Sequence, residues 1–178
     1  LTVEKVGKVD LPAPDIFFGN DKMEVTDTDI YKSDQAFTQG QMITVTGIDN
    51  LNEWWIDPDF FEKQSDGALK FLPINGDYRV TANAVLKYFS VMALKDGKPA
   101  KLQDDGTGAI WAIGKGIGKP SVASSEVGWE PGKALCLAQV APKKYQLTLK
   151  AGETLKTSGD PEVISFKFFH QNDWGGEF

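Results

Sequence analysis

The sequence predicts an all-β chain of tandem antiparallel β-sandwich modules, immunoglobulin-like or carbohydrate-binding-module-like, and three observations carry that expectation. Short runs rich in β-branched and aromatic residues recur about every eight to twelve residues, the spacing of a sandwich. Turn signals such as Asn75-Gly76-Asp77 and Asp96-Gly97 stand between them. No long 3.6-residue periodicity and no strand–helix–strand alternation runs through the chain.

Residues 1–15 are polar, end in Leu11-Pro12-Ala13-Pro14-Asp15, and read as an extended lead-in. Ile16-Phe17-Phe18 is a short strand entering the turn Gly19-Asn20-Asp21. A polar stretch follows, without a strand signal. Gln41–Gly47 alternates with period two and is the clearest strand of the first half. Past the Asp49–Asn52 turn and Glu53–Ile56, the run Asp57–Lys63 predicts one helical turn or a short helix, Asp57 as N-cap and Pro58 at the first position. Ala68–Leu72, Tyr78–Ala82 and Leu86–Leu94 are further strands. Gln103–Gly108, polar and glycine-bearing, is the expected boundary, dividing a first module at 1–104 from a second at 105–178. The second strand series runs through Ala109–Ile113, Lys133–Val140, Tyr145–Leu149 and Ile164–Phe169. Between them Gly114–Gly118 reads as a glycine-rich connection and Gly128–Gly132 as a corner. The chain stops in what reads as a loop returning toward another strand, so the second module is expected to continue beyond Phe178.

Composition narrows the function. With 41% apolar and 25% charged residues, the chain can form a packed core rather than a disordered coil. A net charge of −6 without a basic cluster speaks against nucleic acid as a partner. No apolar run approaches the roughly 18 residues of a membrane span, and no signal peptide is present. The single Cys136 lies in an apolar run and reads as a buried, inert thiol. His170 is the only histidine, so one His and one Cys supply neither a zinc site nor, without a Gly-x-Ser-x-Gly elbow, a serine triad. No metal and no cofactor is expected.

Gly114-Lys115-Gly116-Ile117-Gly118-Lys119-Pro120 fails as a phosphate loop. Three residues rather than four separate its outer glycines, and Pro120 stands where the metal-binding hydroxyl belongs. The closing Gly175-Gly176-Glu177-Phe178 spells the diguanylate cyclase signature, but that motif lies in an α/β domain and the pattern before it is all β. Carboxylate pairs occur at Asp57/Asp59, Asp104/Asp105 and Asp173/Glu177. Such pairs cap turns or face solvent more often than they flank a scissile bond.

The tryptophans carry more. Adjacent Trp54 and Trp55 point to opposite faces if extended, one into the core and the other outward, and Trp111 sits in an apolar strand. Trp129 and Trp174 lie in glycine-rich polar loops instead. An exposed indole face beside hydrogen-bonding side chains suits a flat ligand with an apolar face and hydroxyls on its rim, as sugar rings have. The opposing reading is that both indoles close the ends of the sandwich.

An ordered series, Trp111-Ala112-Ile113-Gly114-Lys115-Gly116, Gly128-Trp129-Glu130-Pro131-Gly132-Lys133-Ala134-Leu135, a strand near Tyr145, and Phe166-Lys167-Phe168-Phe169 leading to Asp173-Trp174-Gly175, resembles the starch-binding β-sandwich domains of SusE/SusF-like outer-membrane lipoproteins of Bacteroidetes. It covers residues 109–178. Lys115 stands where that family often has Asp, and no lipobox cysteine is present. The resemblance implies binding of an oligosaccharide or polysaccharide without catalysis. It places the protein at the extracellular face of the outer membrane, held by a lipid anchor, beside a TonB-dependent transporter. By motif position, Trp129 and Trp174 would form the platform, Lys119 the donor, and Gln171 and Asn172 the amides reaching sugar hydroxyls. The alternatives are a structural or assembly module with packed aromatics, and a glycosidase or lyase with two convergent carboxylates.

Overall fold

The computed structural model describes residues 12–178, and side-chain alternation in long strands sets its architecture. In Gly76–Asn83, Tyr78, Val80 and Ala82 turn inward and are buried, while Arg79, Thr81 and Asn83 are not. Ile30–Phe37 and Tyr88–Lys95 pair antiparallel on its two sides, with Ser33 and Val91 both opposite Val80. Glu24–Asp27 and Lys98–Pro99 complete a five-stranded sheet. Two three-stranded sheets close the core with it. One joins Asp21–Lys22, Phe17–Phe18 and Val45–Thr46; the other joins Met42–Ile43, Leu69–Phe71 and Phe61–Lys63.

That core is aromatic. Phe18 meets Phe89 and Phe61 edge-on at 5.1 and 5.6 Å, and Trp54 stacks on Phe89 at 4.7 Å. Each such pair contributes about 0.5–1.5 kcal/mol beyond the area it buries. Trp55, its neighbour, points the other way and is only half-buried, the division expected of adjacent residues in extended backbone.

Several expectations are corrected in this half. Gln41–Gly47, expected as one strand, is two, Met42–Ile43 and Val45–Thr46, on different sheets, and the strand expected over Leu86–Leu94 begins at Tyr88, after a turn that holds Leu86 and Lys87. Ile30–Phe37, read as part of a polar stretch, is a central strand. Its period is masked because Ser33 and Gln35 occupy inward positions between Tyr31 and Phe37, and Gln35 Nε2 donates to the Phe18 carbonyl and to Ser33 Oγ. Asp57 caps one helical turn, its Oδ1 accepting the Asp59 N–H at 3.0 Å, but the chain is a strand from Phe61 onward. The lead-in expected over 1–15 lies outside the described residues as far as residue 11, and Pro12–Asp15 hold neither strand nor helix.

The second half is organised on Trp111–Gly118. Glu126–Gly128 and Leu135–Cys136 pair with one side of it, and Ser165–Phe169 with the other. The glycines expected to form a connection are therefore strand. Gly114 lies so close to Ser165–Phe169 that a Cβ there would come within 2.3 Å of the Phe166 Cα. The run expected over Lys133–Val140 is also broken, into a 3-10 turn at Pro131–Lys133 and strands Leu135–Cys136 and Ala138–Ala141, the last turning back to pair with Lys144–Gln146.

The chain is thus nearly all β, in antiparallel sheets, as a tandem sandwich requires. The two halves are not separately closed. Ala138 is buried in the first core with Val140 packed against it, and the Gln139 carbonyl accepts the Ile74 N–H at 2.8 Å. Gln103–Gly108 holds no strand or helix, yet Gln139 Nε2 and the Tyr145 hydroxyl both donate to the Gly106 carbonyl, at 3.2 and 3.1 Å. Burial pushes the Tyr145 hydroxyl up to about 12, so it remains a donor. No helix among the described residues is long and apolar enough to cross a membrane.

Candidate functional site

Glu126–Gly128 ends where Gly128, at φ +58°, turns the chain out of the sheet and places Trp129 outside it. The Pro131–Lys133 turn and a Glu130–Lys133 ion pair at 3.1 Å hold the following backbone. Trp174 arrives from the opposite side of the central strand, in the loop after Ser165–Phe169. That loop is closed by the His170 N–H donating to the Gly176 carbonyl at 2.7 Å and the Trp174 N–H donating to Asp173 Oδ1 at 2.7 Å. Gln171 Nε2 donates to the Trp174 carbonyl.

The two indoles meet with ring centroids 6.3 Å apart and planes 28° from parallel. Buried Phe169 supports Trp174 edge-on at 5.8 Å. Trp129 nevertheless keeps 38% of its surface exposed and Trp174 49%. Two near-parallel indoles open to solvent, Trp174 braced by Phe169, form an apolar platform with amides in the adjoining loop, which can take the C–H face of a ring while polar groups reach its edge. Asn172 Oδ1 in the same loop is out of solvent and has no donor, which leaves one amide oxygen unsatisfied there.

Lys119 is placed elsewhere. Its side chain is only 7% exposed, and Nζ donates to Asp57 Oδ1 and Oδ2 at 2.8 and 2.9 Å and to Asp59 Oδ2 at 2.7 Å. Asp59 also accepts the Thr148 N–H and hydroxyl and an amide N–H of Gln146. The lysine therefore ties the two halves together, and its three donors are occupied there rather than at the indoles. Of the five expected site residues the structure brings together Trp129, Trp174, Gln171 and Asn172, and separates Lys119 from them.

Burial raises Asp57 above the usual carboxylate range despite the Lys119 charge. Burial opposes ionisation of Asp59 as well, but Lys119 and the Thr148 hydrogen bonds outweigh it and hold that carboxyl low. Sequence reasoning missed this cluster. The pattern Asp57-Pro58-Asp59 signals a cap, and nothing in it points to a lysine sixty residues on.

Other candidate chemistry is accounted for structurally. Burial pushes the Cys136 thiol up to about 12, which removes it as a nucleophile at neutral pH. His170 is exposed and packs edge-on against Phe178 at 4.3 Å.

Comparison with known proteins gives two matches. The family model described as Domain of unknown function (DUF5125) matches residues 9–102, just over half of the chain, and that described as Domain of unknown function (DUF5121) matches residues 105–178. Neither a curated protein nor a solved structure matches the chain.

Proposed function

This chain belongs to the DUF5125 family, and we propose that it is a carbohydrate-binding protein without catalysis, holding an oligosaccharide or polysaccharide at the Trp129–Trp174 platform. The observation that carries the reading is the stacked, solvent-open indole pair, with Trp174 braced edge-on by Phe169. Gln171, its Nε2 given to the Trp174 carbonyl, offers its side-chain oxygen, Asn172 lies in the same loop with its Oδ1 out of solvent, and Lys119 is committed to Asp57 and Asp59. Binding rather than turnover fits the carboxylates as well, since the buried Asp57 and Asp59 are both engaged by one lysine. The same proposal includes the setting implied by the resemblance to SusE/SusF-like lipoproteins: the extracellular face of an outer membrane, a lipid anchor, and a TonB-dependent transporter as neighbour.

A shallow aromatic site of this size gives micromolar to millimolar affinity, roughly −4 to −8 kcal/mol. A glycan array followed by tryptophan-fluorescence titration tests the reading. A sugar that binds should change the emission of the wild-type protein, and Trp129→Ala and Trp174→Ala should each weaken it about tenfold or more. Unchanged affinity in both variants overturns the platform, and release of shortened products from a bound polysaccharide overturns the non-catalytic reading. If no glycan binds, a structural or assembly module with supporting aromatics is the correct description.

A further inference from the structure

The second feature able to hold a ligand is a cleft of about 760 Å³ between the two halves, within the range of about 300–1,000 Å³ typical of ligand sites. One wall comes from the first half, where the Trp55 N–H donates to the Lys87 carbonyl at 2.8 Å and Trp55 bridges to Tyr88. Two half-buried aromatic residues are thereby anchored side by side in the cleft lining. The other wall is the Val122–Ser125 helix and the turn from Gly128 to Lys133. At the floor, Asp57 and Lys119 are held rigid by the ion pair already described. Glu130 and Lys133 line the cleft while Trp129, in the same turn, does not, so that turn is a partition between the cleft and the indole platform.

The Tyr88 hydroxyl, the Trp55 indole N–H and the Lys115 ammonium belong to residues that line this space, and each is a donor that a ligand there can meet. The lining charges cancel: Lys115, Lys119 and Lys133 stand against Asp57, Glu126 and Glu130. Aromatic surface, lining donors and balanced charge fit an uncharged polyhydroxylated ligand better than an acidic one. We propose that the cleft between the modules is a second carbohydrate subsite, selective for neutral sugars and separate from the Trp129–Trp174 platform. It rests on the carbohydrate reading of the protein and extends it to a chain gripped at two places. Two weak subsites on one polymer raise its apparent affinity through effective concentration, without either contact becoming stronger.

The test is a ¹H–¹⁵N NMR titration of the whole protein with maltotriose, cellotriose, xylotriose and mannotriose, and with trigalacturonate as the acidic probe. A neutral trisaccharide should move two groups of resonances with separate Kd values. One comprises the Trp129 and Trp174 indoles and the 170–176 loop; the other comprises the Trp55 indole and the amides of Ser90, Ser124 and Ser125. Ser124→Trp, a substitution at an exposed position facing the cleft, should weaken the second group about tenfold or more and leave the first unchanged. Tyr88→Phe removes only the hydroxyl and should weaken the second group severalfold. The proposal is overturned if the platform resonances titrate and the cleft resonances do not move, or if trigalacturonate binds the cleft as tightly as the neutral sugars. If the cleft titrates and the indoles of Trp129 and Trp174 never move, the platform reading falls and this one stands. If no probe moves either group, both fall.

Discussion

Lys119 meets two carboxylates with one ammonium, so the buried trio carries an excess negative charge whenever both acids are ionised. Removing the lysine leaves two buried carboxylates unpaired, and Lys119→Met should destabilise the protein by about 3–5 kcal/mol, measured by urea unfolding. A substitution at a ligand-contacting surface lysine would leave stability almost unchanged, so the same experiment separates the two roles. The pH dependence has two opposite parts. Asp57, raised in the fold by burial, contributes stability below its unfolded value of about 4 that is lost as pH rises through its folded value. Asp59, held low once Lys119 and Thr148 outweigh its burial, contributes stability above about pH 4 that is lost as pH falls through its folded value. Relative to Asp57→Asn, the wild-type protein should therefore gain stability on acidification from neutrality toward pH 4. Relative to Asp59→Asn, it should lose stability as the pH falls further. Chemical unfolding of the three proteins between pH 3 and 7 checks both signs; parallel curves would show that the carboxylates are not differently set.

At the scale of single elements, Trp111–Gly118 depends on glycine twice over, for close contact with its neighbours and for the positive φ of Gly114 (+148°) and Gly116 (+83°). Gly114→Ala would bring a methyl group against the Phe166 backbone, displacing Ser165–Phe169 and with it the Trp174 loop. A loss of about 2–3 kcal/mol is expected, with weakened sugar binding, read by thermal unfolding and by titration of the same variant. Gly128→Ala meets no neighbour but keeps φ +58°, so it should cost about 1–2 kcal/mol and disturb Trp129 more than the fold. These glycines also mark the limit of what the sequence makes legible. Alternation made Tyr78–Ala82 legible within Gly76–Asn83, because its inward residues are uniformly apolar, and the apolar run Leu86–Leu94 located Tyr88–Lys95 with its start two residues early. Ile30–Phe37 stayed hidden, because polar side chains fill inward positions and satisfy their hydrogen bonds there. Gly114–Gly118 resembled a loop, because clustered glycines usually mark turns, and only the neighbouring strand shows that here positive φ and lack of room occur together inside a strand. For the candidate site, loop context singled out Trp129 and Trp174, which the fold brings together. It could not identify Lys119's partners, which long-range folding brings to it.

Over the whole molecule, the two family matches divide the chain between residues 102 and 105, but the packing does not. Ala138 and Val140 fill the first core, and Cys136 packs with Met92 and Ala93 in a small cluster joining the halves. The Asp57–Lys119–Asp59 trio adds polar contacts across the same boundary, and Gln139 and Tyr145 bind the connecting run at Gly106. If the first half unfolded alone, it would expose Ala138 and Val140 and strip Lys119 of its carboxylate partners; if the second unfolded alone, it would strip residues from the first core. Either partial state loses apolar burial and leaves polar groups unsatisfied, so neither should accumulate. The protein is therefore expected to melt in one calorimetric transition, with the calorimetric and van't Hoff enthalpies close to equal. In Lys119→Met the apolar bridge remains, so the transition should move to lower temperature and stay single. Two resolved transitions in the wild-type protein would show instead that the modules are coupled too weakly for a ligand spanning them to sense both.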